Sequence, residues 1–282
     1  MSEVQVLSIR ISIKEIKVRI IQLSVGPNKV PLVGYLHDYN EDTILKNIRS
    51  GMIICPGGGY EKLSDREKDP VALYYFSKGF NTFILNYSIN EDAANLNPLL
   101  ELSDALVQIR NRASVFCVNP TEIAVIGFSA GAHVAASLST LYNHPKIQEL
   151  TKITDGLNSP DACLLCYPVI SMKKEITHIG SMEKVTNKSD KLIELLSVED
   201  HVTKDTCPTF VWHTQDDDCV DIQNSLSYVN ALVKNKVPCE YHMFVNGEHG
   251  LSMCTADCYK ADEYCGQWKS LSVNWLHKYL SF

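Results

Sequence analysis

From Val4 to Val25 apolar and other residues alternate, first in "VQVLSIRISI" and then in "IKVRIIQLSV". A period of two reads as antiparallel strands. "VPLVGYLHDY" (30–39) reads as another. From "GMIICP" (51–56) onward the pattern changes to short continuous apolar runs: "MIIC", "NTFILNY", "EIAVIGF", "ACLLCYPV", "PTFVWHT" and "CEYHMFV". Such runs predict strands covered on both faces. Helical patterns separate them. "DPVALYYFSKGF" has Pro near its start and Gly at its end, the usual punctuation of a helix. "NPLLELSDALVQIRNRASVF", "GAHVAASLSTLYN", "IQNSLSYVNALVKN" and "CGQWKSLSVNWLHKYL" are the others.

Strands alternating with helices imply right-handed crossovers and a largely parallel sheet. The expected class is therefore α/β, a mostly parallel central sheet with antiparallel N-terminal strands and helices on both faces. No repeat, low-complexity tract or linker marks a boundary, so residues 1–282 read as one domain. Residues 171–206 are the longest polar segment. They read as a cap-like excursion over the C-terminal edge of the sheet, where α/β folds bind ligands.

Composition narrows the partners. The chain is 45% hydrophobic and 21% charged, the balance of a globular protein, with a formal net charge of −7. No long basic block is present, which argues against nucleic acid as a partner. Charges interrupt the first twenty residues, so no signal-peptide core is visible, and no apolar run reaches the roughly 18 residues of a membrane span. A cytoplasmic location away from the membrane is the expectation. The alternating N-terminal strands offer an edge through which a homo-oligomer would pair.

Ten cysteines follow no compact framework and read as free, mostly buried thiols. Cys163 and Cys166 lie three apart on an expected strand, point to opposite faces and cannot chelate together. Cys254, Cys258 and Cys265 would share one face of a continuous helix and leave zinc as an alternative. Gly266 and the polar "TADCYKADEYCG" weigh against that helix. The expectation is no metal and no cofactor.

The chemistry centres on "IAVIGFSAGAHVAA" (123–136), where an apolar strand turns into a helix at Gly-Phe-Ser-Ala-Gly. Ser129 on such a turn would project its hydroxyl above the sheet, and flanking glycines would let strand and helix backbones approach. The Ala130 N–H, first of the helix, would face a developing oxyanion. An ordinary glycine-rich turn is the competing reading. A serine needs a base. His249, in "FVNGEHGLS" just past a strand end, is the best placed of nine histidines. His133 lies a turn down the helix after Ser129 and reads as a packing residue. The carboxylate that would orient the base falls among Asp216, Asp217 and Asp218, after the strand "PTFVWHT". A second oxyanion donor would come from Pro56-Gly57-Gly58-Gly59, directly after an apolar strand. A dinucleotide fingerprint does not fit there, because Lys62 stands where its third glycine belongs.

With these residues in view, the chain resembles the α/β-hydrolase superfamily, and more narrowly the esterase/lipase group related to acetyl-xylan esterases. "ICPGGGY" (54–60), "SDRE" (64–67), "ILNYS" (84–88), "IAVIGFSAGAHVA" (123–135), "CYPVIS" (166–171), "VTKDTCPTFVWHTQDDDCV" (202–220) and "GEHGLS" (247–252) carry the resemblance. It implies that Ser129 is the nucleophile, His249 the general base and Asp217 its partner, with Gly58, Gly59 and Ala130 forming the oxyanion hole. Pro56, where many lipases carry His, and Asp221, where relatives often carry Pro, are departures that leave this chemistry intact. The implied function is hydrolysis of short-chain acyl esters, such as small acetylated carbohydrates, through an acyl-enzyme. A small peptidase of the same fold and a non-catalytic binding protein are the alternatives. Position alone suggests Tyr60, Trp212 and the 171–206 excursion as the pocket lining for the ester substrate.

Overall fold

The computed structural model describes residues 18–38 and 48–282. The alternating stretch between residues 4 and 17 lies outside them. β1 (Val18–Val25) and β2 (Val30–His37) form the antiparallel hairpin that the period-two pattern implies. Then follow β3 (Arg49–Cys55), α1 (Asp69–Ser77), β4 (Asn81–Leu85), α2 (Asn97–Asn111) and α3 (Ala113–Phe116). β5 (Val118–Phe128), α4 (Ala130–Leu141), α5 (Pro145–Thr151) and β6 (Ala162–Cys166) form the middle of the chain. α6 (Ile179–Thr186), α7 (Asp190–Leu196), β7 (Thr209–Thr214), α8 (Gln223–Lys234), β8 (Cys239–Phe244) and α9 (Trp268–Leu276) complete it.

Among the described residues the strands make one eight-stranded sheet in the order β1-β2-β4-β3-β5-β6-β7-β8. β2 pairs antiparallel with β1 and β4, and every later pairing is parallel. This is the architecture implied by the resemblance.

The continuous apolar runs divide between two cores because side chains alternate across a sheet. Ile53, Val125, Cys163, Leu165 and Val211 face one core, with Leu102 and Leu106 of α2, Val134 of α4, and Tyr228 and Leu232 of α8. Met52, Ile54, Ala124, Ile126, Leu164, Cys166, Phe210 and Trp212 face the other, with Val71 and Tyr75 of α1 and Trp268 and Trp275 of α9. Cys163 and Cys166 fall in different cores, as their spacing predicts.

β3, β4, β6 and β7 are buried along their whole length, whereas β8, the edge strand, is half-exposed except at its last residue. The expected single helix over 97–116 breaks at Arg112, and Cys117, at a left-handed φ of 53°, turns the chain into β5. The polar 171–206 segment contains α6, α7 and a short helical turn at Val198–His201. No helix among the described residues is long and apolar enough to cross a membrane.

Candidate active site

β5 ends at Phe128 and α4 starts at Ala130, which leaves Ser129 alone at the turn with φ 52° and ψ −117°. Few L-residues hold such a conformation, and it costs on the order of 1–3 kcal/mol. The flanking glycines explain how the turn can be this sharp. A Cβ on Gly127 would stand 2.3 Å from the Gly131 carbonyl oxygen, and one on Gly131 would stand 2.1 Å from that of Cys55. α4 therefore starts directly against the end of β3, with Ser129 held above the junction.

The structure brings Ser129 and His249 together. His249 Nε2 lies 2.9 Å from Ser129 Oγ, and His249 Nδ1 lies 2.7 Å from Asp217 Oδ2. Of the three consecutive aspartates, only Asp217 meets the imidazole. Asp216 instead accepts from the amide of Gly247 at 2.7 Å and the side chain of Asn246 at 3.1 Å, bracing the loop that carries His249. Asp217 Oδ1 accepts the amides of Cys219 and Val220, each at 2.9 Å. Burial by itself would raise this carboxyl, but hydrogen bonds from His213 and His249 outweigh it and hold Asp217 well below the usual carboxylate range. An ionised Asp217 only accepts, so His249 Nδ1 carries a hydrogen and Nε2 is left to take the Ser129 proton.

On the other side of Ser129 lies the Gly57–Gly59 loop. The Gly57 amide donates to Glu67 Oε2 at 2.8 Å. Gly58, at φ 124°, and Gly59, at φ 65°, adopt backbone that favours glycine. Among the described residues the amides of Gly58, Gly59 and Ala130 meet no acceptor.

Sequence reasoning missed three residues at this site. His213, fully buried at the end of β7, places Nε2 3.0 Å from Asp217 Oδ2. Glu67, 2% exposed, also accepts the Tyr167 hydroxyl at 2.6 Å, and burial pushes its carboxyl up despite the bonds from Tyr167 and Gly57. His178, at the start of α6, faces Gly59, with its Cε1 3.5 Å from where a Cβ there would stand. Burial, and after it the charge of His249, lowers its basicity. Its Nδ1 accepts the Ser181 amide at 3.2 Å, so Nε2 carries the hydrogen. The "SDRE" stretch and the strand-end position of His213 are the signals that were available.

Two expectations are corrected. Trp212 does not line a pocket. It alternates onto the α1/α9 face, is fully buried, and stacks on Trp268 with ring centres 5.3 Å apart. Tyr60 is 1% exposed and turns its hydroxyl inward to His133 Nδ1 at 2.7 Å. His133 is the packing residue its helical position implies, and its Nε2 meets the Leu196 carbonyl at 2.8 Å. Together Tyr60, His133 and Leu196 tie the glycine loop, α4 and the excursion to one another. Cys254, Cys258 and Cys265 do not share a helix, and no metal-binding group of three His, Cys, Asp or Glu exists among the described residues.

Comparison with known proteins gives the chain its relatives. The family model BD-FAE matches residues 45–232. The chain is 31% identical over 242 residues to endo-1,4-beta-xylanase B of Butyrivibrio fibrisolvens, covering 84% of this chain and 36% of that one. It is 28% identical over 207 residues to an acetylxylan esterase of Xylanibacter ruminicola, covering 71% of this chain and 40% of that one. The chain thus spans well under half the length of these curated relatives. Among solved structures, the acetyl ester-xyloside bifunctional hydrolase of Caldicellulosiruptor lactoaceticus is similar, with 34% identity, 89% of each chain covered and a TM-score of 0.76.

Proposed function

This chain belongs to the BD-FAE family, and from that membership we propose that it is a serine ester hydrolase that removes acetyl groups from small acetylated carbohydrates. The observation that carries the reading is the unbroken hydrogen-bond line from Asp217 through His249 to Ser129 Oγ. The similar acetylxylan esterase and acetyl ester-xyloside hydrolase support the choice of acyl group and sugar.

The chemistry proceeds by acyl transfer. Ser129 Oγ attacks the ester carbonyl carbon as His249 Nε2 takes its proton. The carbonyl oxygen, now an oxyanion, lies against the amides of Gly58, Gly59 and Ala130. Each such donor is worth roughly 10²–10³ in turnover. Collapse breaks the ester C–O bond, and the proton on His249 passes to the departing alcohol. Water, deprotonated by the same nitrogen, then releases acetate. Asp217 stays ionised throughout and holds the imidazole in its productive tautomer.

The test is a turnover screen of p-nitrophenyl acetate, butyrate and octanoate together with acetylated xylose and xylo-oligosaccharides, run beside labelling with a fluorophosphonate. Acetyl substrates are expected to lead, with the label on Ser129. An unlabelled, inactive protein would overturn the reading.

A further inference from the structure

His213 and Ser225 extend the hydrogen-bond line past Asp217 to the inner side of the sheet. His213 is fully buried, and its two ring nitrogens are both engaged: Nε2 with Asp217 Oδ2 at 3.0 Å and Nδ1 with the hydroxyl of the buried Ser225 at 2.8 Å. A carboxylate only accepts, so His213 Nε2 carries a hydrogen, and Nδ1 is left to accept the Ser225 hydroxyl. Asp217 therefore fixes the tautomer of His213 as it does that of His249, and Ser225 on α8 anchors the far side of the His213 ring. Two imidazoles donate to the same carboxylate oxygen. Two backbone amides complete the other oxygen, and the Asp217 side chain has no exposed surface.

Resting on the proposed esterase reading, we infer that His213 is a positioning residue that holds Asp217 in place and limits how much negative charge Asp217 can offer His249. Each donor to Oδ2 draws charge from the oxygen. An Asp217 relieved of His213 would stabilise an imidazolium at position 249 more strongly, so His249 would become more basic. The titratable groups facing His249 and Asp217 from other elements are Glu67 after β3, Tyr167 after β6 and His178 at α6, with His213 at the end of β7. Cys219 and Asp218 are on the Asp217 loop itself. All but His213 are unaltered by a change at position 213.

The experiment compares wild type, His213→Leu, His213→Gln and Ser225→Ala. Two readouts are taken: the acid limb of the kcat/KM profile for p-nitrophenyl acetate, and the titration of the His249 imidazole by nitrogen-15 NMR. In His213→Leu the limb and the His249 titration should both move to higher pH by about one unit, with kcat down about tenfold and KM unchanged. His213→Gln, whose amide nitrogen reaches the same oxygen, should restore most of both. Ser225→Ala leaves Asp217 untouched but removes the hydroxyl that anchors the far side of the His213 ring, and should shift both readouts in the same direction by a smaller amount. It serves as the test if His213→Leu does not fold. An unmoved His249 titration in the folded variants would overturn the inference. The NMR arm decides this whether or not the protein hydrolyses esters, whereas failure of fluorophosphonate labelling would strike the esterase reading alone.

Discussion

Tyr167 gives its hydroxyl hydrogen to Glu67 Oε1 at 2.6 Å, across 100 residues of sequence. The same hydroxyl oxygen accepts the Ser252 amide at 3.0 Å, and Glu67 Oε2 accepts that of Gly57. One buried carboxyl thereby ties the glycine loop to the segment that follows His249. Glu67→Ala would strand a buried amide and a buried hydroxyl, at about 1–3 kcal/mol each. We expect a loss of several kcal/mol in urea unfolding and a fall in kcat. Glu67→Gln, which keeps an acceptor for Gly57, should lose markedly less. Equal losses from the two variants would contradict this role.

Ser129 sits in backbone that glycine adopts without strain. Ser129→Ala should cut ester turnover by a factor of order 10⁵–10⁶ while leaving the fold intact. Ser129→Gly should be equally inactive but more stable than Ser129→Ala by about 1 kcal/mol. Calorimetry of the pair is the check, and a less stable glycine variant would refute the assignment of strain.

Gly131 packs against backbone atoms, which cannot swing aside as a side chain would. Its Cβ would stand 2.1 Å from the Cys55 oxygen and 2.4 Å from that of Pro56, so Gly131→Ala must push α4 away from the glycine loop. The expected cost is about 1–3 kcal/mol of stability and on the order of 10²-fold in kcat/KM. Wild-type kinetics from a folded Gly131→Ala protein would count against the tight junction.

Burial pushes His133 from 6.5 down to about 4. The unfolded chain takes up this proton below about pH 6.5 and the folded protein only below about pH 4, so the unfolded state binds more protons in between. His133's contribution to stability is therefore complete above the upper value and declines as pH falls to the lower one, by about 3 kcal/mol in all. His37, also lowered to about 4 by burial first and Arg49 second, acts in the same sense. Urea midpoints between about pH 7 and about pH 5 should fall in wild type and fall less in His133→Gln. Parallel slopes in the two proteins would exclude His133 as a source.

His178 presents an N–H at Nε2 beside Gly59. His178→Phe keeps a ring there and removes the donor. KM for an acetylated sugar should rise about tenfold, the value of one hydrogen bond, while KM for p-nitrophenyl acetate, which offers no hydroxyl, should change little. Equal effects on both substrates would assign His178 a purely structural part.

The layered sheet was legible because doubly covered strands announce themselves as unbroken apolar runs. That Ser129, Asp217 and His249 would meet was legible because each follows a strand end, where one local pattern marks the place. Glu67 and His178 were not, because Tyr167 and Gly59 come to them from distant parts of the chain, and His213, though four residues before Asp217, was not because the strand pattern leaves its facing open. No local period encodes a carboxyl that meets Tyr167 from 100 residues upstream. Trp212 and His213 show the limit sharply. They are neighbours on β7, and strand parity sends one to α9 and the other toward Ser225 of α8. Which of the two would reach the site depended on which helices cover each face, and the sequence around them does not state it.

The order of the strands has a consequence for how the protein fails. Ser129 rises from β5, flanked on both sides, while His249 follows β8, which among the described residues has one neighbour and stands half in water. Edge elements open at lower free energy than the centre of a sheet. On warming, β8 and its loop should let go first and carry His249 away from a Ser129 still fixed in an intact core. The protein would fall silent before it melts, and brief heating followed by cooling would return its activity without a refolding step.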